Sequence, residues 1–483
     1  MSIREKTVSG LLWSATDDFA KLGLGFVRGI ILARLLSPRE FGLIGMTTLF
    51  IAVSQSFIEG GFRQALIRKR TCTQADFSTV FYFNLVVAVI FYVVLFLSAS
   101  LIAQFFDEPA LEPILRVLGL GLIIRGLAVV QDTQLARKIN FRLQTRISVV
   151  SSLTSAALGI SMALAGYGVW SLVAASLSGS AVVTTLLWMW QDWKPSLVFR
   201  WDSFREMFSF GSPLLLSGLL HTLQTHIYHL VIGRFFSAAE LGYYTKATTF
   251  QQLPSQHISG VIQRVTYPVL AQLQDDVPRL RAGYRAVIKN TMLITSVLML
   301  GMAAVAEPMV ITLVGEAWRP SVVYVQLLCF VGMFYPLQAI NLNMLKVQGR
   351  SDLFLKLEVI KKVFVVPVIV VGVLLGIEMM IVAMFFKTLV AYYLNSYWSG
   401  ALIGYSAWQQ VRDILPSFGL AASVALMVFL FGQGFRAPDA VKLVSQLALG
   451  GVLAIGGAEL WRMENYRDMK AIVLERVFRT LKA

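Results

Sequence analysis

The feature that most constrains this chain is a series of apolar stretches, each close to the roughly 20 residues that a helix needs to cross a bilayer. Fourteen are placed near 10–35, 41–62, 78–103, 114–134, 147–165, 168–190, 211–233, 241–267, 290–314, 320–345, 363–377, 379–404, 414–432 and 440–461. The stretch at 241–267 is rich in Gln, Ser and Thr, and the one at 363–377 is the shortest. No water is available in hydrocarbon, so each stretch must satisfy its own backbone, and the spacing predicts an all-α integral membrane protein with about 14 transmembrane helices. Composition agrees: 57% of the 483 residues are apolar and 14% are charged, where a soluble domain carries roughly 25%. A disordered chain is excluded and a soluble enzyme is argued against. The first stretch does not read as a cleaved signal peptide, because Asp17, Asp18 and Lys21 stand where an apolar core belongs and no small-residue cleavage site follows.

The basic residues orient the map. With both termini placed in the cytoplasm, the cytoplasmic segments carry 29 Lys and Arg, the opposite side 5, and the spans the other 8. This positive-inside bias predicts a multi-pass protein of a bacterial inner membrane, and it accounts for a net charge of +15 without a nucleic-acid partner. The outer loops are too short for a folded domain. The segment Phe199 to Phe208 mixes aromatic and charged residues and reads as an interfacial helix. So does the tail at 462–483, where Tyr466, Met469, Val473, Val477 and Leu481 share one side.

Two stretches match without a gap at an offset of 200. Arg34-Leu35-Leu36-Ser37-Pro38-Arg39-Glu40-Phe41-Gly42 aligns with Arg234-Phe235-Phe236-Ser237-Ala238-Ala239-Glu240-Leu241-Gly242. Arg, Ser, Glu and Gly coincide. Each stretch joins the first and second spans of a six-span block. The expected organisation is therefore two six-helix lobes in parallel pseudo-repeat, 1–190 and 211–404. An interfacial linker at 191–210 joins them, two extra helices follow within 405–461, and 462–483 forms a cytoplasmic amphipathic tail. Parallel repeats of this kind are related by an axis along the membrane normal.

A charge at mid-bilayer costs at least about 2.5–3.5 kcal/mol, so charged residues within spans are functional candidates. Span one carries Ser14, Asp17, Asp18, Lys21 and Arg28, most of them on one stripe, with an ion pair open to Lys21. Mutual neutralisation is the plainer reading there. Arg116, near the end of span four, snorkels to the interface. Arg125 lies mid-span with no acidic residue within four positions. In span eight Lys246, Thr249, Gln252, Gln256 and Gln263 form a polar stripe, followed by Arg264. Its amides and ammonium suit sugar hydroxyls and phosphate oxygens, and helix-to-helix hydrogen bonding suits them equally. Lys387 precedes Tyr392, Tyr393, Asn395 and Tyr397, a cluster fit to stack on sugars or to form an interfacial belt. Intramembrane carboxylates are Asp17, Asp18, Glu59, Asp132 and Glu307. His221, His226 and His229 share one span, but no HExxH accompanies them, and Cys72 and Cys329 are the only cysteines. No metal site is expected. Pro213, Pro254, Pro308, Pro336 and Pro367 mark kinks.

At this point the chain resembles a known family. The residues that carry the likeness are Leu32 to Gly42, Gly61-Phe62-Arg63-Gln64-Ala65-Leu66-Ile67, Gly168-Val169-Trp170-Ser171-Leu172, Ile232-Gly233-Arg234, Leu241-Gly242-Tyr243-Tyr244 and Gly315-Glu316-Ala317-Trp318. Together they are similar to the WzxC-like polysaccharide and lipopolysaccharide exporters of the multidrug/oligosaccharidyl-lipid/polysaccharide superfamily. The resemblance implies translocation of an undecaprenyl-diphosphate-linked oligosaccharide by alternating access, coupled to a proton or sodium gradient, with no cofactor. It implies a cationic cavity, for which Arg28, Arg125, Lys246, Gln252, Gln256 and Lys387 are the substrate-binding candidates. Family members often place an acidic residue or Asn about six positions before the second-half Arg. Tyr228 stands there, which moves the ion-coupling expectation to Asp17, Asp18 and Lys21. The expected partners are the lipid-linked oligosaccharide, membrane lipids and polysaccharide polymerase or assembly proteins, around a monomer. A small-molecule exporter of the same superfamily shares the core spans and is the alternative. A membrane-embedded glycan polymerase or ligase needs a large outer loop or a soluble domain, and Asp275-Asp276 alone is a weak substitute.

Overall fold

A computed structural model describes residues 22–467, 470 and 471, leaving aside the side chains at 257, 261, 263–265 and 351. Asp17, Asp18, Lys21 and most of the tail lie outside the described residues. Every regular element among the described residues is helical. The chain divides into two contact units, Met1–Gly242 and Tyr243–Ala483.

The first unit holds α1 (residues 22–35), α2 (Pro38–Glu59), α3 (Phe62–Arg68), α4 (Gln74–Phe106), α5 (Leu111–Gly126), α6 (Val129–Arg137), α7 (Phe141–Leu164), α8 (Trp170–Trp190) and α9 (Trp201–Phe235). α10 (Ala238–Ala271) crosses the boundary. The second unit continues with α11 (Val277–Ala304), α12 (Ala306–Val314), α13 (Ser321–Met333), α14 (Tyr335–Val347), α15 (Ser351–Val363), α16 (Val365–Leu375), α17 (Ile377–Ile403), α18 (Ala407–Gly434) and α19 (Asp439–Leu460).

Nine helical segments among the described residues are long and apolar enough to cross a membrane, ten when the bent pair α5–α6 is one span. The expected count of fourteen is not reached on that criterion. α9 and α10 carry too many polar residues, α1 is described only in part, and the stretch at 363–377 forms only the short helix α16. Several stretches that read as single spans are helix pairs. The break between α5 and α6 bends the axis by 42°. Pro308, Pro336 and Pro367 each sit in the first turn of a new helix, where the missing N–H had no intrahelical acceptor to lose. Pro213 and Pro254 lie inside α9 and α10.

The expected interfacial helix before residue 210 is instead the start of α9, which runs unbroken from Trp201. Its aromatic face explains this. Phe204 and Phe208 pack on the buried Phe62, with ring centroids 6.0 and 6.4 Å away, and Phe204 lies 5.1 Å from Phe83. From there α9 runs antiparallel to α2. Gly211 meets Gly61 in the turn after α2, and the two helices touch through the Ser56 and Thr222 hydroxyls 3.0 Å apart and at Gly233 against Met46. The contact boundary accordingly falls one helix later than the repeat boundary.

The loops assigned to one side of the membrane gather at one end of the first unit. Lys69 bridges Asp76 at 3.1 Å and Glu206 at 2.8 Å, Arg137 donates to the Lys69 carbonyl at 2.9 Å, and Gln74 donates to the Lys194 carbonyl. Burial disfavours the Lys69 ammonium, but its bonds to Glu206 and Asp76 outweigh this and hold its pKa above the ordinary lysine value. The opposite end carries the Arg39–Glu108 pair at 2.8 Å.

The repeated motif is a repeated structure. Glu40 accepts from the Ser37 backbone at 2.6 Å and Glu240 from the Ser237 backbone at 2.9 Å, the same cap one repeat apart. The two turns also meet reciprocally within the first unit. A Cβ on Gly42 would fall 1.6 Å from the Ala238 carbonyl oxygen, and one on Gly242 would fall 1.9 Å from that of Pro38. Positions 42 and 238 thus mirror 242 and 38, and only glycine permits either approach.

The interior of the second unit carries a closed polar network. Asn341 Oδ1 accepts from Tyr284 Oη and from Ser399 Oγ, both at 2.7 Å, and all three residues are buried. Tyr284 packs edge-on against Tyr405, whose hydroxyl donates to Asp413 at 2.6 Å, and Asp413 takes a bidentate pair from Arg285. α18 and α19 close on α11 through Leu293, Leu420, Val424, Val428 and Ala458.

Candidate functional site

Inside the first unit lies a cavity of about 540 Å³ with polar walls. Its back wall is the α7–α8 seam. Small residues recur every four positions on both helices (Ser151, Ser155, Gly159; Ser171, Ala175, Gly179), which lets the backbones approach closely. A Cβ on Gly159 would fall 2.8 Å from Ala175 Cβ. Two hydroxyls stitch the seam: Ser151 donates to the Gly179 carbonyl at 2.8 Å and Ser155 to that of Ala175 at 2.5 Å.

Charge enters from the other walls. Arg28 of α1 donates to Ser155 Oγ at 2.5 Å, so the hydroxyl that locks the seam also anchors a guanidinium. Arg125, at the α5 terminus, donates to Gln55 Oε1 of α2 at 3.3 Å. Arg63 of α3 pairs with Asp132 of α6 at 2.7 Å, and Gln144 of α7 donates to the same carboxylate at 3.3 Å. Glu59, the last residue of α2, faces the cavity with no hydrogen-bond or ionic partner among the described residues. Arg125 and Asp132, seven residues apart in the chain, line the same cavity on either side of the bend between α5 and α6.

Two of the six substrate-binding candidates, Arg28 and Arg125, therefore share this cavity. The other four belong to the second unit or to the part of α10 within it. Lys246 is buried and its ammonium lies 5.3 Å from the ring centroid of the fully buried Trp318, a cation–π arrangement. Gln252 and Gln256 are exposed, whereas their neighbours Gln251 and Ser255 are buried and joined at 2.9 Å. Lys387 is half-buried on α17 and feels the like charge of Lys361 on α15. In the aromatic cluster Tyr392 and Asn395 are buried while Tyr393 and Tyr397 are exposed. The His226 and His229 rings lie 5.7 Å apart. Among the described residues, no three His, Cys, Asp or Glu side chains are placed to hold a metal ion.

Three parts of the cavity do not emerge from sequence reasoning. Hydropathy puts Arg63 in an inner loop, nothing singles out Gln144, and the serines of α7 and α8 pass as ordinary span residues. A signal is present as hydroxyls at three- and four-residue spacing, Ser148-Ser151-Ser152-Ser155 and Ser176-Ser180-Thr184, within two apolar spans.

Comparisons with known proteins identify the family and the fold. A model of the polysaccharide biosynthesis protein family matches residues 31–323, more than half of the chain. The lipopolysaccharide biosynthesis protein WzxC of Escherichia coli (strain K12) is 27% identical over 379 residues, 77% of this chain and 76% of that protein. Among solved structures, the lipid II flippase MurJ in an inward closed conformation superposes with a TM-score of 0.77 over 95% of this chain and 99% of that one, at 13% identity. An inward-facing multidrug resistance MATE family transporter of the MOP superfamily superposes with a TM-score of 0.62 over 80% and 94% of the two chains, at 15% identity. At such identities the two structures establish the fold alone. The chain belongs to the polysaccharide biosynthesis protein family.

Proposed function

We infer that this protein is a flippase that carries an undecaprenyl-diphosphate-linked oligosaccharide from the inner to the outer leaflet of a bacterial inner membrane. The observation that carries this reading is the polar cavity itself. Three guanidiniums, two carboxylates and a row of hydroxyls are gathered inside a bundle of membrane helices, where each charge is costly unless function retains it. WzxC is by name a lipopolysaccharide biosynthesis protein and MurJ a lipid II flippase, and both support a lipid-linked glycan as cargo.

In this mechanism the polar headgroup of the substrate enters the membrane interior against the cavity residues while the polyprenyl tail stays in the bilayer. Arg28 and Arg125 present guanidinium donors, and Arg63 is held in register by Asp132. Lys246 and Lys387 supply further positive charge from their own helices. Proton or sodium binding at Asp17 and Asp18 biases the two access states differently, as coupling requires. The protein acts as a secondary transporter and not as an enzyme, as a monomer with both termini cytoplasmic, handing its cargo to polysaccharide assembly proteins. The grouping of basic loops at one end of the first unit supports that orientation.

The test is transport in proteoliposomes of a lipid-diphosphate-linked oligosaccharide under an imposed proton or sodium gradient, comparing the wild type with Arg125→Ala and Lys246→Ala. Gradient-dependent movement that fails in a folded neutral variant supports the reading. No movement of lipid-linked sugar under either gradient overturns it.

A further inference from the structure

We propose that the first-unit cavity recognises a sugar of the lipid-linked substrate, a pyranose with vicinal hydroxyls and at most one carboxylate, and not its diphosphate. The proposal rests on the flippase reading above and specifies which part of the cargo this site takes.

Charge balance is the first argument. The described residues that line the cavity bring Arg28, Arg63 and Arg125 against Glu59 and Asp132, a net of one positive charge. Arg63 is already closed by Asp132 at 2.7 Å. What remains is two guanidiniums facing one carboxylate. Diphosphates are held where cations or backbone N–H groups converge. Here both phosphates would be ionised beside Glu59, and like charges held close together repel.

Hydrogen-bond inventory is the second argument. A serine on a helix commonly donates back to a carbonyl one turn earlier. Ser148 and Thr154 do so here, to Gln144 and Val150. Ser152, Ser176 and Ser180 line the cavity and make no hydrogen bond among the described residues. Each offers one donor and two acceptor positions, Glu59 offers acceptors, and Arg125 offers a fork of donors. A ring of hydroxyls, each both donor and acceptor, is the chemistry that such an alternating wall satisfies. A phosphate, which only accepts, would leave Glu59 and the hydroxyl acceptors unmatched. The volume of about 540 Å³ falls within the usual range for small-ligand pockets, ~300–1,000 Å³.

The experiment uses the full-length protein in lipid nanodiscs and two probes. One is undecaprenyl diphosphate without sugar. The other is the same lipid diphosphate bearing a hexose–hexuronate disaccharide. The wild type is expected to bind the sugar-bearing probe about tenfold more tightly, the size of one or two net hydrogen bonds. Glu59→Gln, and separately the pair Ser176→Val with Ser180→Val, are expected to remove most of that advantage while affinity for the sugar-free probe stays within about twofold. Thermal unfolding checks that each variant folds, and the isosteric Glu59→Gln decides alone if the serine pair does not. Equal weakening of both probes would mark a diphosphate site and overturn the proposal. Survival of the sugar advantage in a folded Glu59→Gln would overturn it as well. If the wild type binds neither probe, the flippase reading itself fails and takes this proposal with it. Binding of both probes with equal affinity defeats the proposal and leaves the flippase reading standing.

Discussion

Two polar clusters, one in each unit, are built on opposite plans. In the second unit Tyr284, Ser399 and Asn341 satisfy one another at 2.7 Å, and Tyr405, Asp413 and Arg285 continue the chain of bonds toward the surface. In the first unit Glu59, Ser152, Ser176 and Ser180 face a cavity and bond to nothing described. A satisfied buried network holds helices together, whereas cavity-facing groups without a protein partner remain open to a ligand. Yet the two repeats share one turn almost atom for atom, with the same Ser–Glu cap and the same glycine. Sequence repetition has preserved the geometry of the helix ends and let the chemistry of the interiors diverge.

The shared turn provides the largest effect. Gly42→Val and Gly242→Val each drive a side chain into a backbone carbonyl that already lies under 2 Å from the ideal Cβ position. Neither backbone can yield as a flexible side chain would, so each is expected to cost about 3 kcal/mol or more. Thermal unfolding in detergent should show the two variants equally destabilised. A clear difference between them would break the equivalence of the turns.

Next comes Asn341→Ala in the closed network. It removes the acceptor of two buried hydroxyls, each worth ~1–3 kcal/mol when left unsatisfied. A loss of about 2–4 kcal/mol is expected, with transport per folded molecule little changed. Transport that collapses in a protein still folded would show that the second unit also acts on substrate.

Arg125→Ala is the converse. Its one described bond is a 3.3 Å contact to Gln55, so unfolding is expected to shift by less than about 1 kcal/mol, while transport falls at least tenfold. A strongly destabilised Arg125→Ala would make this guanidinium part of the scaffold and weaken the contrast.

Much of this was legible in the sequence, and the reasons for the rest are physical. Hydropathy located the helices because the bilayer imposes a length and a composition on each one. The repeated turns were legible as the coincidence of Ser37 and Glu40 with Ser237 and Glu240, while the caps that these residues form emerge from the structure. Arg28 and Arg125 stood out because a charge within an apolar span is rare. The breaks at 305, 334 and 364 were signalled by Pro308, Pro336 and Pro367, whereas the one at 127–128 has no such residue and was not legible, because a kink depends on what packs against it as much as on its own residues. The partnership of Lys246 with Trp318, 72 residues away in the chain, has no local signature. The serine face of α7 and α8 was hidden by the apolar residues around it, which dominate any average over the span.

The smallest expected effect separates the two interiors most cleanly, because it uses one substitution at two places. Ser399→Ala and Ser180→Ala delete the same hydroxyl from two membrane helices. Ser399 is fully buried and donates to Asn341 at 2.7 Å, so its loss removes a made hydrogen bond and should cost about 1 kcal/mol. Ser180 makes no bond among the described residues, so its loss should change stability by no more than about 0.5 kcal/mol in either direction. Alanine has the higher helix propensity, which pulls both variants slightly toward stability and cancels in the difference. The measurement is therefore the difference between the two unfolding curves, taken in one detergent and at one protein concentration. A difference near zero would mean that the Ser180 hydroxyl is held by a partner after all, and the sugar-facing wall would lose one of its donors.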